Sequence, residues 1–290
     1  MVAIWSLIAL NWLVRCLLGS PSARAVWLGH SLVALTLASF ARVTGTHPGT
    51  LPANFPSDAP PPPRSYRLKR TQETVLGFDH NCFWLGCPIG LYNRRFFLQF
   101  MGWAWLLSLF GLVLAFGDVQ QQLPWLFYSA SDGASIGDEL RRLLRLENNH
   151  NDEHAAARLH AAEAFLAANP SMAKLYLSAE AFNMMSVQEA LHAAADLGLV
   201  FFDLWAVCFL GAFAAWQASL VLRNKTTNGV YSEAGSSEAD EAKYDLGPLA
   251  NWRQVFGARW WLWPWPLRLH DAPQVDGLSA WPTNSSVLRR

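Results

Sequence analysis

Four long apolar blocks constrain the fold of this chain more than any other feature. Residues 2–18, 25–41, 98–116 and 196–222 each approach or reach the length of a membrane-spanning helix. Of all residues, 52% are hydrophobic and 15% are charged, and the apolar residues come in blocks rather than in one soluble core. The pattern predicts an all-α polytopic membrane protein with four transmembrane helices.

The blocks divide the chain into six segments. These are transmembrane helices 1 and 2 in residues 2–41, a polar segment in 42–97, transmembrane helix 3 in 98–116, a helical insertion in 117–195, transmembrane helix 4 in 196–222 and a C-terminal segment in 223–290. Basic residues gather in 42–97 and 223–290, so the positive-inside rule assigns these segments and both termini to the cytosol. The insertion would then be lumenal or extracellular.

A few polar residues lie in the apolar blocks. Arg15 and Arg24 are near block ends, and their long side chains are expected to reach the membrane interface. Asp203 interrupts the fourth block, where a carboxylate should face the bundle interior or a polar cavity. The alternative is a position near the headgroups, if the span begins later. Together with Asn11 and His30 it offers too few converging groups to favour a transporter.

An acid, an imidazole and a thiol lie within four residues, at Asp79, His80 and Cys82, just before the third block. An Asp that orients a His, and a His that deprotonates a Cys, form an activated nucleophile. The thiolate is the reactive form, and a neighbouring His can supply it near neutral pH. The alternative is a loop with an incidental free cysteine, because such triads are defined by geometry and not by adjacency.

Metal and nucleic-acid sites are not favoured by the remaining residues. The chain has no CxxC pair, which argues against a zinc ribbon or ring. His150, His154 and His160 lack a third ligand at matching spacing, so a solvated helix face is favoured over a metal site. The formal net charge is zero, which gives no argument for nucleic acid.

Two further clusters each leave two interpretations open. A basic cluster precedes the Asp-His-Cys segment and consists of Arg64, Arg67, Lys69 and Arg70. It favours a positive-inside anchor, with binding of a phosphate-bearing cofactor as the alternative. An aromatic run contains Trp260, Trp261, Trp263 and Trp265 and suits either a membrane interface or a small packed cap.

Short motifs follow one another in a fixed order around the apolar blocks. They read His-Pro-Gly at 47–49, Asp-His-Asn-Cys at 79–82, Thr-Thr-Asn-Gly at 226–229 and Asn-x-x-x-Val-Phe-Gly at 251–257. In this order the chain resembles the DHHC-type protein S-acyltransferases (palmitoyltransferases). That family has Asp-Pro-Gly, Asp-His-His-Cys, Thr-Thr-x-Glu and Asn-x-x-x-Val-Phe-Gly at these places. The resemblance covers most of the chain except the insertion.

The resemblance implies a two-step acyl transfer. Cys82 would be the nucleophile, His80 its base, and Asp79 the residue that orients His80. The implied co-substrate is long-chain acyl-CoA, and the implied acceptors are cysteines of substrate proteins. The implied location is an endomembrane (Golgi or endoplasmic reticulum) or the plasma membrane, with membrane lipids and no nucleic acid as partners.

The resemblance also suggests supporting residues. Thr227 would hydrogen-bond Asp79, and Asn251 would brace the cytosolic segments. Arg94 and Arg95 are candidates for binding the phosphates of acyl-CoA, with interfacial anchoring as the alternative.

Two departures from the family pattern are His47 in place of the aspartate of Asp-Pro-Gly and Gly229 in place of the glutamate of Thr-Thr-x-Glu. The others concern the family's zinc-binding, Cys-rich domain. Leu68, Thr71 and Thr74 stand where three cysteines would be expected, and Asn81 replaces a histidine ligand. Of the expected ligands, Cys87 survives. A structural zinc site needs about four ligands, so we predict that the chain is a divergent member with a degenerate Cys-rich domain and no structural zinc. A catalytically inactive membrane scaffold or partner subunit is the alternative function.

Overall fold

The structure, a computed structural model, describes residues 10–16, 21–122, 187–231, 242–279 and 281–284. Its helices are α1 (residues 10–16), α2 (Ala23–Gly45), α3 (Arg94–Gln122), α4 (Val187–Leu222), α5 (Thr227–Tyr231) and α6 (Pro248–Phe256). Its strands are β1 (Tyr66–Arg67), β2 (Thr74–Val75), β3 (His80–Cys82) and β4 (Cys87–Ile89). The chain divides into two compact units, Met1–Gly111 with Asp203–Arg290, and Leu112–Phe202.

Three helices are long and apolar enough to cross a membrane, and they identify a mostly helical membrane protein. They are Ala23–Gly45, Arg94–Gln120 and Leu191–Leu222, with mean hydropathies of 1.4, 1.8 and 2.1. They correspond to the second, third and fourth predicted spans, and each extends beyond the boundaries that the sequence indicated. For the first predicted span only residues 10–16 are described, and these are helical. The prediction of four spans is therefore not confirmed, and His150, His154 and His160 lie outside the described residues.

The smaller unit is described at residues 112–122 and 187–202, which are helical. Val119 and Ala193 are buried there and pack with Leu197 and Val200. This apolar contact joins the end of α3 to the start of α4 within the unit.

A buried polar cluster joins α1 to α4 in the larger unit. Arg15 forms an ion pair with Asp203, and the two side chains are 3% and 4% exposed. Asn11 donates a hydrogen bond to Asp203 at 3.1 Å and accepts one from Arg15 at 3.0 Å. Asp203 faces the interior as predicted, but the expectation that Arg15 reaches the membrane interface is wrong. A buried carboxylate needs a partner, and Arg15 supplies the compensating charge.

The segment between α2 and α3 folds into two small antiparallel hairpins. In the first, β1 pairs with β2; in the second, β3 pairs with β4. Leu68, Val75 and Phe78 are buried together against Tyr66, whose ring stacks on Phe78 at 4.8 Å. An apolar cluster therefore holds the first hairpin together.

Asn93 fixes the second hairpin to the start of α3 and to the end of α2. Its side-chain oxygen accepts from the backbone N–H of Gly90 at 2.8 Å, and its amide donates to the carbonyls of Pro88 at 3.0 Å and Val43 at 3.3 Å. The residue is 1% exposed. One buried amide thus sets where α3 begins relative to the strand that precedes it.

The aromatic run near the C-terminus is partly packed and partly exposed. Trp263 packs on Trp252 and Phe256, which is the expected cap. Trp260, Trp261 and Trp265 are at least half exposed. Backbone carbonyls of the run accept hydrogen bonds from Arg95, Gln99 and Trp103, which lie along the first turns of α3.

Arg64, a member of the basic cluster, joins separate parts of the polar segments. Its guanidinium donates to the side chain of Asn224 at 2.8 Å and lies over the rings of Tyr244 at 5.0 Å and Trp281 at 4.8 Å. Asn224 in turn donates to the carbonyl of Tyr244 at 2.8 Å. Stacking on aromatic faces suits a planar guanidinium.

Candidate active site

The second hairpin positions the Asp-His-Cys segment. In a strand, side chains alternate between two faces, so residues two apart share a face. In β3, His80 and Cys82 therefore lie on one side and Asn81 on the other; Cys82 is buried and Asn81 is exposed. The spacing of one residue between the imidazole and the thiol is thus what a strand needs to present both to the same side.

Asp79 is the most fully bonded side chain of the site. It is completely buried, and four donors surround its carboxylate. Oδ2 accepts from His80 Nδ1 at 2.7 Å and from the Thr227 hydroxyl at 3.0 Å, while Oδ1 accepts from the Thr227 backbone N–H at 3.0 Å. The Arg94 guanidinium lies 3.0 Å from Oδ1. Burial alone would raise the pKa of Asp79, but the charge of Arg94 and the bonds from His80 and Thr227 lower it to about 2.

His80 is the candidate base. Its Nδ1 faces Asp79, and its ring meets the edge of Phe97 at 5.1 Å, which leaves the side chain 17% exposed. Burial alone would lower the pKa of His80, but the bond to Asp79 and the proximity of Cys82 raise it to about 9. Nε2 is buried and makes no hydrogen bond of ordinary geometry, although Cys82 is near enough to act on the ring. The second ring nitrogen is therefore available to a thiol.

Cys87 lies directly across the hairpin from Cys82. Burial, and then the neighbouring Cys82, raise the pKa of Cys87 to about 11. It therefore stays a neutral thiol near pH 7 and does not compete as a nucleophile. Both cysteines are free.

The two arginines at the start of α3 point in different directions. Arg94 binds Asp79 and donates to the carbonyl of Lys225 at 2.7 Å, and it is 7% exposed. These contacts favour a role for Arg94 in holding Asp79 in place. They favour it more than the predicted role in binding acyl-CoA. Arg95 donates to the carbonyls of Leu262 at 2.8 Å and Trp265 at 3.1 Å and is 5% exposed.

Thr227 and Asn251 connect the site to the end of α4. Thr227 begins α5, and its two bonds to Asp79 are those that the resemblance suggested. Asn251 is 1% exposed and donates to the carbonyl of Leu222 and to Asp245, both at 2.7 Å. It also accepts from the N–H of Leu246 at 2.9 Å. The amide thus ties α6 to the last turn of α4, just before Thr227.

Sequence reasoning missed the pairing of Arg94 with Asp79 and the contact of Gln217 with Thr227. Gln217 is 1% exposed and donates to the Thr227 hydroxyl at 3.1 Å. An amide in the last turns of an apolar span was the available signal, because such a side chain is expected to face the interior. The pairing of Arg94 had no comparable signal, since its neighbour in sequence is equally basic.

The residues at the family's zinc positions do not fit a metal ion. Leu68 is buried in the apolar cluster of the first hairpin, and Thr71 and Thr74 offer hydroxyls in place of thiolates. Among the described residues, no three His, Cys, Asp or Glu side chains come together in a way that could hold a metal. Zinc prefers thiolate and imidazole ligands, and the first hairpin offers neither at these positions.

Three described helices can span a membrane, and a hairpin just before one of them presents a buried acid, a partly buried imidazole and a buried thiol. These features define a membrane protein with a candidate cysteine nucleophile. Residues 56–127 match the family model described as DHHC palmitoyltransferase. The chain therefore carries a DHHC palmitoyltransferase domain, which confirms the resemblance seen in the sequence.

Curated relatives agree with this assignment. The chain is similar to a palmitoyltransferase PFA3 of Yarrowia lipolytica, with 24% identity over 79% of this chain and 48% of the relative. It is 25% identical to a palmitoyltransferase PFA3 of Debaryomyces hansenii, over 71% of this chain and 41% of that protein. A palmitoyltransferase erf2 of Emericella nidulans is 30% identical over 27% of this chain and 12% of that protein. The chain spans about half the length, or less, of these relatives.

Proposed function

We propose that this protein is a protein S-acyltransferase that moves a long-chain acyl group from acyl-CoA, through an acyl-Cys82 intermediate, to cysteines of substrate proteins. The observation that carries the proposal is the pairing of His80 Nδ1 with a buried, ionised Asp79 at 2.7 Å beside Cys82. A carboxylate held in this way stabilises the imidazolium that forms when His80 takes a proton.

The first step forms the acyl-enzyme. His80 takes the proton of Cys82; because free thiols titrate at about 8.5, an imidazole with a pKa of about 9 can hold that proton. The thiolate attacks the carbonyl carbon of the acyl-CoA thioester, the bond to the CoA sulfur breaks, and the CoA thiolate takes the proton from His80.

The second step transfers the acyl group to a substrate protein. His80 accepts the proton of the substrate cysteine, and that thiolate attacks the thioester of acyl-Cys82. The Cys82 thiolate leaves and recovers the proton from the imidazolium. Asp79 keeps its charge throughout and holds the ring in one orientation.

The acyl chain is proposed to lie between the membrane spans. Burial of each methylene stabilises by about 0.8 kcal/mol, so a long chain is favoured over a short one. The site is proposed to face the cytosol together with both termini, in an endomembrane or the plasma membrane, because basic residues cluster in the same segments.

The hairpins are proposed to hold Cys82 without a structural zinc. Their support comes from the apolar cluster around Leu68 and from the amide of Asn93. A scaffold held by packing and hydrogen bonds keeps its geometry when metal is removed, which a zinc-dependent hairpin does not.

The decisive experiment is acyl-enzyme formation by the purified full chain given alkyne-tagged palmitoyl-CoA. We expect a hydroxylamine-sensitive label on the parent protein and none on Cys82→Ser. Cys87→Ser is the matched control, since it removes the thiol opposite Cys82 in the same hairpin. It should keep the label, because Cys87 stays protonated near neutral pH.

The other outcomes separate the rival interpretations. Equal label on the parent and on Cys82→Ser would move the chemistry to another residue. No label on folded parent protein would refute the proposed mechanism and favour an inactive membrane scaffold or partner subunit.

A further inference from the structure

The two cysteines of the second hairpin form a directly opposed pair. Cys82 ends β3, Cys87 begins β4, and the register of the strands places one across from the other. Opposed residues of antiparallel strands have Cα atoms about 4.5–5.5 Å apart and side chains on the same face. A disulfide needs Cα atoms about 4.4–6.8 Å apart. Both thiols are free, so a bond between them fits the hairpin without a change of register.

Hydrogen bonds on both sides of the pair fix the spacing of the two strands. In the turn, the backbone N–H of Gly86 donates to the carbonyl of Cys82 at 2.8 Å, and Gly86 has a φ of 69°, which glycine adopts readily. On the other side, the carbonyl of Pro88, the neighbour of Cys87, accepts from the Asn93 amide at 3.0 Å. The two thiols are therefore held opposite each other by the fold.

The two thiols differ in their chemical environment. Cys82 lies beside His80, which pairs with Asp79 at 2.7 Å and can take the thiol proton. Burial, and then the charge of the neighbouring Cys82, raise the pKa of Cys87 to about 11. The effect of Cys82 on Cys87 also shows that the two groups are close, because such an effect weakens with distance. A cysteine that readily forms a thiolate, beside a second thiol that stays protonated, is typical of redox-sensing pairs.

A small molecule can reach this pair. Cys82 is 5% exposed, whereas Cys87 and His80 are partly exposed. The turn that joins the two strands is open to its surroundings, since the side chain of Phe83 is 76% exposed. The hairpin end therefore admits an oxidant of the size of hydrogen peroxide.

We propose that Cys82 and Cys87 are a site of reversible oxidation, at which a hydroperoxide converts the two thiols into a disulfide. In the first step the Cys82 thiolate attacks one peroxide oxygen and the O–O bond breaks. Cys82 becomes a sulfenic acid, and the leaving hydroxide takes the proton that His80 had accepted from Cys82 and departs as water.

In the second step the sulfur of Cys87 attacks the sulfur of the Cys82 sulfenic acid. The S–O bond breaks, and the leaving hydroxide takes the proton of Cys87 to give a second molecule of water. The two thiols are oxidised by two electrons and the peroxide is reduced to water. A protonated thiol is a weak nucleophile in solution, but its fixed position across the hairpin favours this step.

The disulfide would protect Cys82 from the irreversible sulfinic acid and would keep it from reacting until a thiol reductant restores it. Transient disulfides of this kind are the ones found in reducing compartments. Loss of acyl transfer on oxidation is a consequence that rests on the proposed function, whereas disulfide formation itself does not depend on it.

The test treats the reduced full chain in phosphatidylcholine nanodiscs with hydrogen peroxide, in the absence of acyl-CoA. Remaining thiols are then blocked with a maleimide under denaturing conditions, and tryptic peptides are weighed by mass spectrometry. Residues 71–94 form one tryptic peptide that holds Cys82 and Cys87 and no other cysteine. We expect this peptide to lose two hydrogen atoms and all maleimide labelling, and to regain labelling of both cysteines after dithiothreitol.

Three variants separate the roles of the cysteines. Cys87→Ser should form no disulfide, and Cys82 should pass to the sulfinic acid, which dithiothreitol does not reverse. In Cys82→Ser, Cys87 should be oxidised at least about tenfold more slowly than Cys82 in the parent, because little of it is thiolate. Cys208→Ser is the matched control, since it removes an exposed thiol outside the hairpin and should form the disulfide as the parent does.

The measurement on the parent protein decides the proposal without any variant. Full maleimide labelling of Cys82 and Cys87 after peroxide would overturn it, and so would a disulfide that joins Cys82 to Cys16 or Cys208. Equal oxidation rates of Cys87 in Cys82→Ser and of Cys82 in the parent would contradict the proposed order of steps. A parent that forms this disulfide but no acyl-enzyme would refute the proposed function alone, and the reverse result would refute the oxidation site alone.

Discussion

Replacing Thr227 by valine removes one hydrogen bond from Asp79 and keeps the shape of the side chain. The hydroxyl of Thr227 lies 3.0 Å from Oδ2, the same oxygen that accepts from His80. The backbone N–H of Thr227 and the guanidinium of Arg94 still reach Oδ1. The substitution therefore frees the oxygen that orients His80 without removing the charge.

The expected size follows from the chemistry of the lost bond. A hydrogen bond to a charged group contributes about 1.5–3 kcal/mol, and about 1.4 kcal/mol corresponds to a factor of ten in rate. We expect acyl-Cys82 to form about tenfold more slowly in Thr227→Val, and up to about a hundredfold if the whole loss appears in the transition state. Thr227→Ser keeps the hydroxyl and should stay within about threefold of the parent.

The assay is single-turnover labelling with tagged palmitoyl-CoA, with melting temperatures recorded for each variant. A slower Thr227→Val that remains folded, beside a nearly normal Thr227→Ser, supports positioning through Asp79. The reasoning is refuted if Thr227→Val acylates at the parental rate, or if Thr227→Ser loses as much as Thr227→Val.

Three other predictions follow from the structure. The pKa of His80 is about 9 in the folded protein and about 6.5 in the unfolded chain, so protonated His80 adds about 3 kcal/mol to the free energy of unfolding. This contribution is complete below pH 6.5 and is lost as pH rises through 9. The melting temperature should therefore fall over that interval, and it should fall less in His80→Gln. A zinc chelator should leave acylation and melting temperature unchanged, whereas loss of either would show that the hairpins need metal. Arg15→Met should lower the free energy of chemical unfolding by about 3–5 kcal/mol, because it leaves Asp203 buried and unpaired. The double variant Arg15→Met with Asp203→Leu should recover most of that loss. A double variant as unstable as Arg15→Met alone would contradict this prediction.

The membrane spans could be predicted from the sequence because hydrophobicity and length are local properties. The blocks at residues 25–41 and 98–116 fall inside helices Ala23–Gly45 and Arg94–Gln122. The ends of these helices could not be predicted from the sequence, since they depend on contacts with other segments. Asn93, for example, fixes the start of α3 by bonding to one carbonyl of α2 and one of β4.

The candidate nucleophile and its base were also readable from sequence, because Asp79, His80 and Cys82 are nearly adjacent in the chain. A strand places His80 and Cys82 on one face by its own repeat, and this repeat needs no knowledge of the rest of the fold. The order of motifs around the spans then indicated the family that the comparison with known domains confirmed.

The tertiary structure alone decided which distant groups complete the site. Thr227 is 148 residues from Asp79, and Asp203 is 188 residues from Arg15, so no local pattern could pair them. Sequence determines the local chemistry that each segment offers, and packing determines which charges meet, because electrostatic pairing depends on distance in space and not along the chain.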